Sequence, residues 1–273
     1  MIVKNLSEIH FDELLNCFLK SFENYYVKMP TDKNYYKKRW ESSKVDFNLS
    51  YGMFDKDTLV GFIINAVDHR NGDLKAYNAG TGVLPTYRGK KIVKAIYKDA
   101  VSDLIHHGFS KCSLEVITKN TFAIKSYQSI GFKITKNFLC YDGAINLSKD
   151  PFVNLKETDY NHIDWDAMPN QELYSWDHQK ETLKISTLKF YEVIVKDKIE
   201  SYFVINPNTG YIAQFEILSN HKRAWENLFK GIQQISSTIR INNIDDRNKD
   251  KICFLNSIGI KNTVDQYEME LKL

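Results

Sequence analysis

The sequence predicts an α/β chain of two tandem domains, each a mixed, mostly antiparallel twisted sheet flanked by helices. Three observations carry this. Strand-like runs alternate with helical periodicity through the first half, the second half repeats that order, and 273 residues suit two cores of ordinary size. Hydrophobic residues make up 43% and charged residues 26%, so both halves can bury an apolar interior.

Residues 2–4 can open a strand, and Ser7 can cap a helix with Ile9, Leu14, Leu15, Phe18 and Leu19 on one face. The aromatic, basic stretch from Tyr25 to Trp40 predicts a second helix with irregular flanks. Apolar runs at 49–54 and 58–67, broken by Asp55-Lys56-Asp57, predict a hairpin. Asn71-Gly72 tolerates positive φ and turns the chain into a strand at 74–84, which Pro85 ends. From Arg88 to Ile105 apolar residues recur every three or four positions, and Gly108 stops that helix. A strand at 112–117, a short helix at 122–130 closed by Gly131, and a last strand at 132–141 complete the first half. The polar, turn-rich segment 143–151 marks the boundary, giving domains 1–145 and 151–273.

The second half reads as a diverged copy of the first. Ser129-Ile130-Gly131 recurs as Ser257-Ile258-Gly259, 128 residues on, and at that spacing Asn120 falls on Asn248. Upstream, 211–218 matches the 74–84 strand and 225–235 matches the long helix.

Composition narrows the function classes. Net charge is only +3 and no basic run stands clear of acidic neighbours beyond Lys37-Lys38-Arg39, which argues against a nucleic-acid partner. The four cysteines share no zinc-like spacing and His106-His107 is not an i, i+4 pair, so no metal site is expected. No segment approaches the ~20 apolar residues of a membrane helix, and the amino terminus has no apolar leader core. A cytoplasmic protein is the expectation, as monomer or homodimer.

Chemistry concentrates at residues 82–94, GVLPTYRGKKIVK. A strand ends in proline, a short basic loop follows, and an amphipathic helix begins. A helix start offers unpaired N–H groups and the positive dipole end, and Arg88, Lys90, Lys91 and Lys94 surround it with cations. A diphosphate suits such a place, and a solvated basic loop would read the same way.

Together with residues 114–132, LEVITKNTFAIKSYQSIGF, this segment resembles the GCN5-related N-acetyltransferase (GNAT) family over roughly the first 145 residues. The resemblance implies acetyl-coenzyme A (acetyl-CoA) as acyl donor and direct transfer to a primary amine in a ternary complex, without a metal. The acceptor is a small molecule or a peptide. It implies that Arg88, Gly89, Lys90, Lys91, Val93 and Lys94 grip the pyrophosphate, and that Val83 and Leu84 present backbone to the acyl carbonyl and pantetheine arm. It also implies Asn120 near that arm and Tyr127 protonating the departing thiolate. Leu114-Glu115-Val116 resembles the ribosomal-protein alanine acetyltransferases, which implies Glu115 as base. Tyr25, Tyr26 and Tyr51 lie where the family has its acceptor wall. Val93 departs from the family pattern, because a branched side chain stands where a small residue lets backbone approach a phosphate. In the second half no arginine–glycine loop follows Leu218 and Leu255 replaces the tyrosine, so that half is expected not to catalyse. The alternative to an enzyme is a catalytically impaired acyl-CoA-binding or regulatory protein of the same fold.

Overall fold

The computed structural model describes residues 1–148 and 152–273, so the end of the expected boundary segment, residues 149–151, lies outside the described residues. In chain order the elements begin β1 (Ile2–Asn5), α1 (Phe11–Ser21), α2 (Lys33–Ser42), β2 (Tyr51–Asp55), β3 (Thr58–Arg70) and β4 (Asp73–Val83). Then come α3 (Ile92–His106), β5 (Lys111–Ile117), α4 (Thr121–Ile130) and β6 (Lys133–Ala144). The remainder is β7 (Asn154–Thr158), α5 (Lys180–Leu183), β8 (Lys189–Val195), β9 (Lys198–Asn206), β10 (Tyr211–Ile217), α6 (Ala224–Ile235), β11 (Thr238–Asp245), α7 (Lys249–Ser257) and β12 (Lys261–Lys272). The fold class is the predicted one, and the order strand, helical segment, three strands, helix, strand, helix, strand occurs twice.

Two compact units divide the chain: Met1–Thr135 with Tyr267–Leu273, and Lys136–Gln266. In the first, β1, β2, β3 and β4 pair antiparallel in succession, and β5 pairs β4 in parallel. One sheet face carries α3 and α4 over Val60, Ile63, Ile96, Tyr97, Leu114 and Phe132. The other carries α1 and α2 over Phe62 and Ile64, with Phe18, Tyr36 and Trp40 closing the layer.

The units divide at different points from the segment 143–151. β6 is a strand as expected, but it pairs antiparallel with β11 in the second unit. The first unit takes its last strand from the carboxyl terminus instead. Met269 is fully buried in its core, with Tyr267, Leu271 and Leu273 packed alongside. The Leu273 amide donates to the Ser110 carbonyl at 3.0 Å, and Lys111 pairs with Glu270. Strand pairing is made by backbone groups, so two strands of similar pattern can trade partners without a sequence signal. Burying one methionine fully contributes about 1.5–3 kcal/mol, which ties this terminus to the first unit.

The first helix starts later than predicted. Ser7 bonds Asn5 Oδ1 at 2.7 Å instead of capping, and α1 begins at Phe11 behind an uncapped His10. In the second unit, β7 to β11 repeat the ladder, with β10 and β11 parallel. Between β7 and β8 the chain forms single helical turns, and Trp165, Leu183 and Tyr202 pack there over the sheet. Among the described residues, no helix is long and apolar enough to cross a membrane.

Candidate active site

β4 and β5 pair only from Lys75↔Lys111 to Asn78↔Leu114, after which they part. β4 runs on to Val83 against β3, so its backbone past Asn78 is left without a β5 partner. A bulge at Ala79, where the β3 register slips, starts the divergence. Glycine is required just beyond it: a Cβ on Gly82 would stand 2.5 Å from the Phe62 ring and 2.8 Å from Ser21 Cβ. α1 therefore lies directly over this stretch of β4.

A single helical turn over Pro85–Tyr87 leads from β4 toward α3. Gly89 (φ +77°) and Lys91 (φ +58°) are both left-handed, and no side chain caps the start of α3. Its first turn holds no acidic residue, while Arg88, Lys90, Lys91 and Lys94 are exposed. Uncapped N–H groups, the dipole and these cations are a combination that suits an anion. The Arg88 side chain has another duty: Nη2 donates to the Ser21 carbonyl at 2.9 Å and Nε to the Val83 carbonyl at 3.4 Å. It ties the loop to α1 and to the end of β4. Lys90 lies over the Tyr87 ring at 4.6 Å, and the Tyr87 hydroxyl donates to Asp55 at 2.8 Å. Val93 turns inward and packs on the α3/α4 core beside Val83 and Leu84. Its branched side chain is half-buried against that core.

Asn120 caps α4, accepting from the Ala123 amide at 3.2 Å, and it also bonds the Tyr25 hydroxyl. The Tyr26 hydroxyl donates to the Lys119 carbonyl at 3.1 Å, so the segment after α1 rests on the β5–α4 turn. Tyr127 is buried on α4 among Tyr97 and Phe132, with ring centroids at 6.3 and 5.8 Å. Burial pushes its hydroxyl up to about 12, opposed by a hydrogen bond with Thr81. Glu115 is the first β5 residue past the last β4 pair. Leu114 and Val116 enter the same core as Tyr127, so alternation directs Glu115 to the opposite face of the strand. Tyr25, Tyr26, Asn120 and Tyr127 are brought together, and Glu115 borders the same divergence.

Tyr51 is not. It is buried in β2, its hydroxyl donates to Asp103 in the last turns of α3, and burial with that carboxylate raises its pKa. The tyrosine is a core residue whose one polar atom is spent, and it forms no part of a wall at the cleft. Sequence reasoning missed Asn78, Thr81 and Tyr97. Asn78 Nδ2 donates to Thr81 Oγ1 at 2.5 Å and to the Tyr97 hydroxyl, and its Oδ1 accepts from the Gly80 amide at 2.9 Å. The available signal was polar residues at positions that a buried strand and helix would fill with apolar ones.

The second unit contains the same junction, and it is filled. β10 bulges at Ala213, pairs β11 only at Tyr211↔Arg240 and Ile212↔Ile241, and α7 starts behind Asn248. Matching bulge to bulge sets Gln214, Phe215 and Glu216 where the first unit has Gly80, Thr81 and Gly82. Lys251, at the place of Ala123, bonds Glu216 at 2.7 Å, each side chain only 3% exposed. The Tyr174 hydroxyl donates to the same carboxylate at 2.8 Å. Burial pulls the Lys251 pKa down and pushes Tyr174 up, with Glu216 opposing the first and adding to the second. What remains is a cavity of about 10 Å³ between Tyr174, Phe215 and Lys251, room for about one water.

Residues 11–132 match the model of the Acetyltransferase (GNAT) family. No curated protein matches the chain. Among solved structures, a tandem GNAT protein from the clavulanic acid biosynthesis pathway superposes with a TM-score of 0.70 at 13% identity, over 99% of this chain and 98% of that one. A GCN5-related N-acetyltransferase from Sphaerobacter thermophilus gives 0.69 at 10% identity, over 99% and 95%. One from Kribbella flavida gives 0.60 at 15% identity, over 100% and 71%. Likenesses at these identities show a common fold.

Proposed function

Residues 11–132 form a domain of the acetyltransferase (GNAT) family, and on that premise we propose that the chain transfers an acetyl group from acetyl-CoA to a primary amine in the cleft between β4 and β5. The observation that carries this reading is the divergence past Asn78, with an uncapped cationic helix start on one side and a buried tyrosine hydroxyl on the other.

In this reading the pyrophosphate lies on the amides from Gly89 to Lys94, with Lys90, Lys91 and Lys94 as counter-ions and Arg88 holding the loop. The pantetheine arm bonds the unpaired backbone of β4 up to Val83 and Leu84, and Asn120 borders it. The amine approaches from the Glu115 face, past Tyr25 and Tyr26. It attacks the thioester carbonyl while Glu115, or a water held by it, takes the ammonium proton. Collapse of the tetrahedral intermediate breaks the C–S bond, the electron pair goes to sulfur, and Tyr127 on the other face gives sulfur its proton. A phenol held near 12 stays protonated throughout the neutral range. The desolvation that raises it also raises the basicity of a thiolate released beside it. The second unit, with its cleft filled by Phe215, Glu216 and Lys251, binds no donor.

Free-thiol release from acetyl-CoA, measured over a panel of amines with the intact chain, tests this function. Amine-dependent release is expected, with one acetyl group gained by the amine. Tight donor binding with no turnover on any amine would leave the acyl-CoA-binding protein as the correct reading.

A further inference from the structure

The buried polar side chains beneath the β4 bulge form a chain whose hydrogens can be assigned one by one. The Gly80 amide can only donate, so the Asn78 atom it meets at 2.9 Å is Oδ1, and the amide nitrogen of Asn78 faces the other way. That nitrogen has two hydrogens. One goes to Thr81 Oγ1 at 2.5 Å and the other to the Tyr97 hydroxyl. Tyr97 is fully buried, so its own hydrogen needs an acceptor, and its second contact is with Thr81. Thr81 oxygen then accepts twice, and its single hydrogen is left for its remaining partner, Tyr127. Every donor in Asn78, Tyr97 and Thr81 is used. Tyr127 accepts at the end of the chain, and its own proton is the one not consumed.

The molecule contains its own control. Aligning the two strand bulges puts Ile212 at the place of Asn78 and Phe215 at that of Thr81. Ile96-Tyr97-Lys98 on α3 matches Leu228-Phe229-Lys230 on α6, and the caps Asn120 and Asn248 put Leu255 at the place of Tyr127. All four polar members are apolar in the second unit, where Phe215, Phe229 and Leu255 join one core and the first two rings stack edge to face at 5.6 Å. The fold at this junction is therefore built without any of these hydroxyls or amides. Asn78, Tyr97 and Tyr127 are buried and Thr81 half-buried, and polar groups placed where apolar ones serve cost free energy unless each is satisfied.

We propose that Asn78, Thr81 and Tyr97 are positioning residues that fix Tyr127 as a hydrogen-bond acceptor from Thr81, so that its own proton points to the departing sulfur. This inference rests on the function proposed above. When the C–S bond breaks, the electron pair goes to sulfur, the Tyr127 proton follows it, and the phenolate left behind is held by the Thr81 O–H. A proton from solvent restores the phenol before the next turnover. The donor meets only the backbone of this stretch, and the side chains of Thr81 and its two supports act through Tyr127.

Thr81→Val, which keeps the side-chain shape, tests it with two readouts on the same samples. Turnover per folded molecule should fall about 10- to 100-fold with donor affinity unchanged, the scale of one lost hydrogen bond to a charged group. Thr81→Ser should restore most of it. Carbon-13 labelling of the tyrosine ring, read by NMR on the protein without donor, should show the Tyr127 phenol signal moved and its titration raised in Thr81→Val and near wild type in Thr81→Ser. An unchanged Tyr127 signal and unchanged turnover per folded molecule, with only thermal stability lowered, would overturn the proposal. If the wild type acetylates no amine but the Tyr127 signal still responds to Thr81→Val and recovers in Thr81→Ser, the positioning chain stands and the acyl-transfer reading fails.

Discussion

Replacing Tyr127 by phenylalanine should lower the maximal acyl-transfer rate by about 10²–10⁴-fold while donor affinity stays nearly constant. That is the usual worth of general acid catalysis, and the substitution removes only an oxygen. The ring itself belongs to a cluster with Tyr97 and Phe132, and phenylalanine keeps that packing. The sign of the pH dependence follows from burial. A hydroxyl pushed up to about 12 is still protonated far above neutrality, so it contributes no falling limb to the rate profile below about pH 12. An ascending limb from the amine or the base remains, and the variant should retain it. Turnover, donor affinity and melting temperature measured together separate this from a structural role, in which the melting temperature falls and the rate per folded molecule holds.

The second large effect concerns the loop before α3. Lys90→Ala with Lys94→Ala should weaken coenzyme A binding by about 1–3 kcal/mol, the scale of charge-assisted hydrogen bonds, and should flatten its salt dependence. Both side chains are exposed, so stability should barely move. Arg88→Ala should behave differently. Its guanidinium is engaged with the Ser21 and Val83 carbonyls, so the change loosens the loop as well as removing a charge. Calorimetry at two salt concentrations, alongside thermal melting, checks both halves of this expectation.

The parts of this site readable from sequence were those whose chemistry is local. A proline, a glycine and four cations at a strand-to-helix junction give a cationic helix start with little help from distant residues. Asn120 and Tyr127 lie seven residues apart, on one helix and its cap. Tyr51 was not readable, because periodicity gives the face of a strand but not the partner of a hydroxyl, and Asp103 is 52 residues away. Nor was the identity of each unit's last strand, since a strand's own pattern gives the face it buries and not the strand it pairs with. The chain from Asn78 to Tyr127 was hidden for a third reason. The spacing of 128 residues that aligns the short helices does not hold for β4 and β10, where the matched bulges lie 134 residues apart. Only the bulges reveal which residue replaces which.

The two units differ at the strand junction: past Asn78 the β4 backbone has no β5 partner, whereas buried side chains occupy the matching place in the second unit. In the second unit a buried lysine, glutamate and tyrosine occupy the junction themselves. In the first, Gly80, Thr81 and Gly82 stand at the matching places of β4, and the strand backbone past Asn78 has no β5 partner. The most direct measurement is a calorimetric titration of the intact chain with coenzyme A, repeated on the Lys90→Ala/Lys94→Ala variant. One molecule bound per chain is expected, with affinity lowered in the variant. Two molecules per chain, or one whose affinity the variant leaves unchanged, would contradict it.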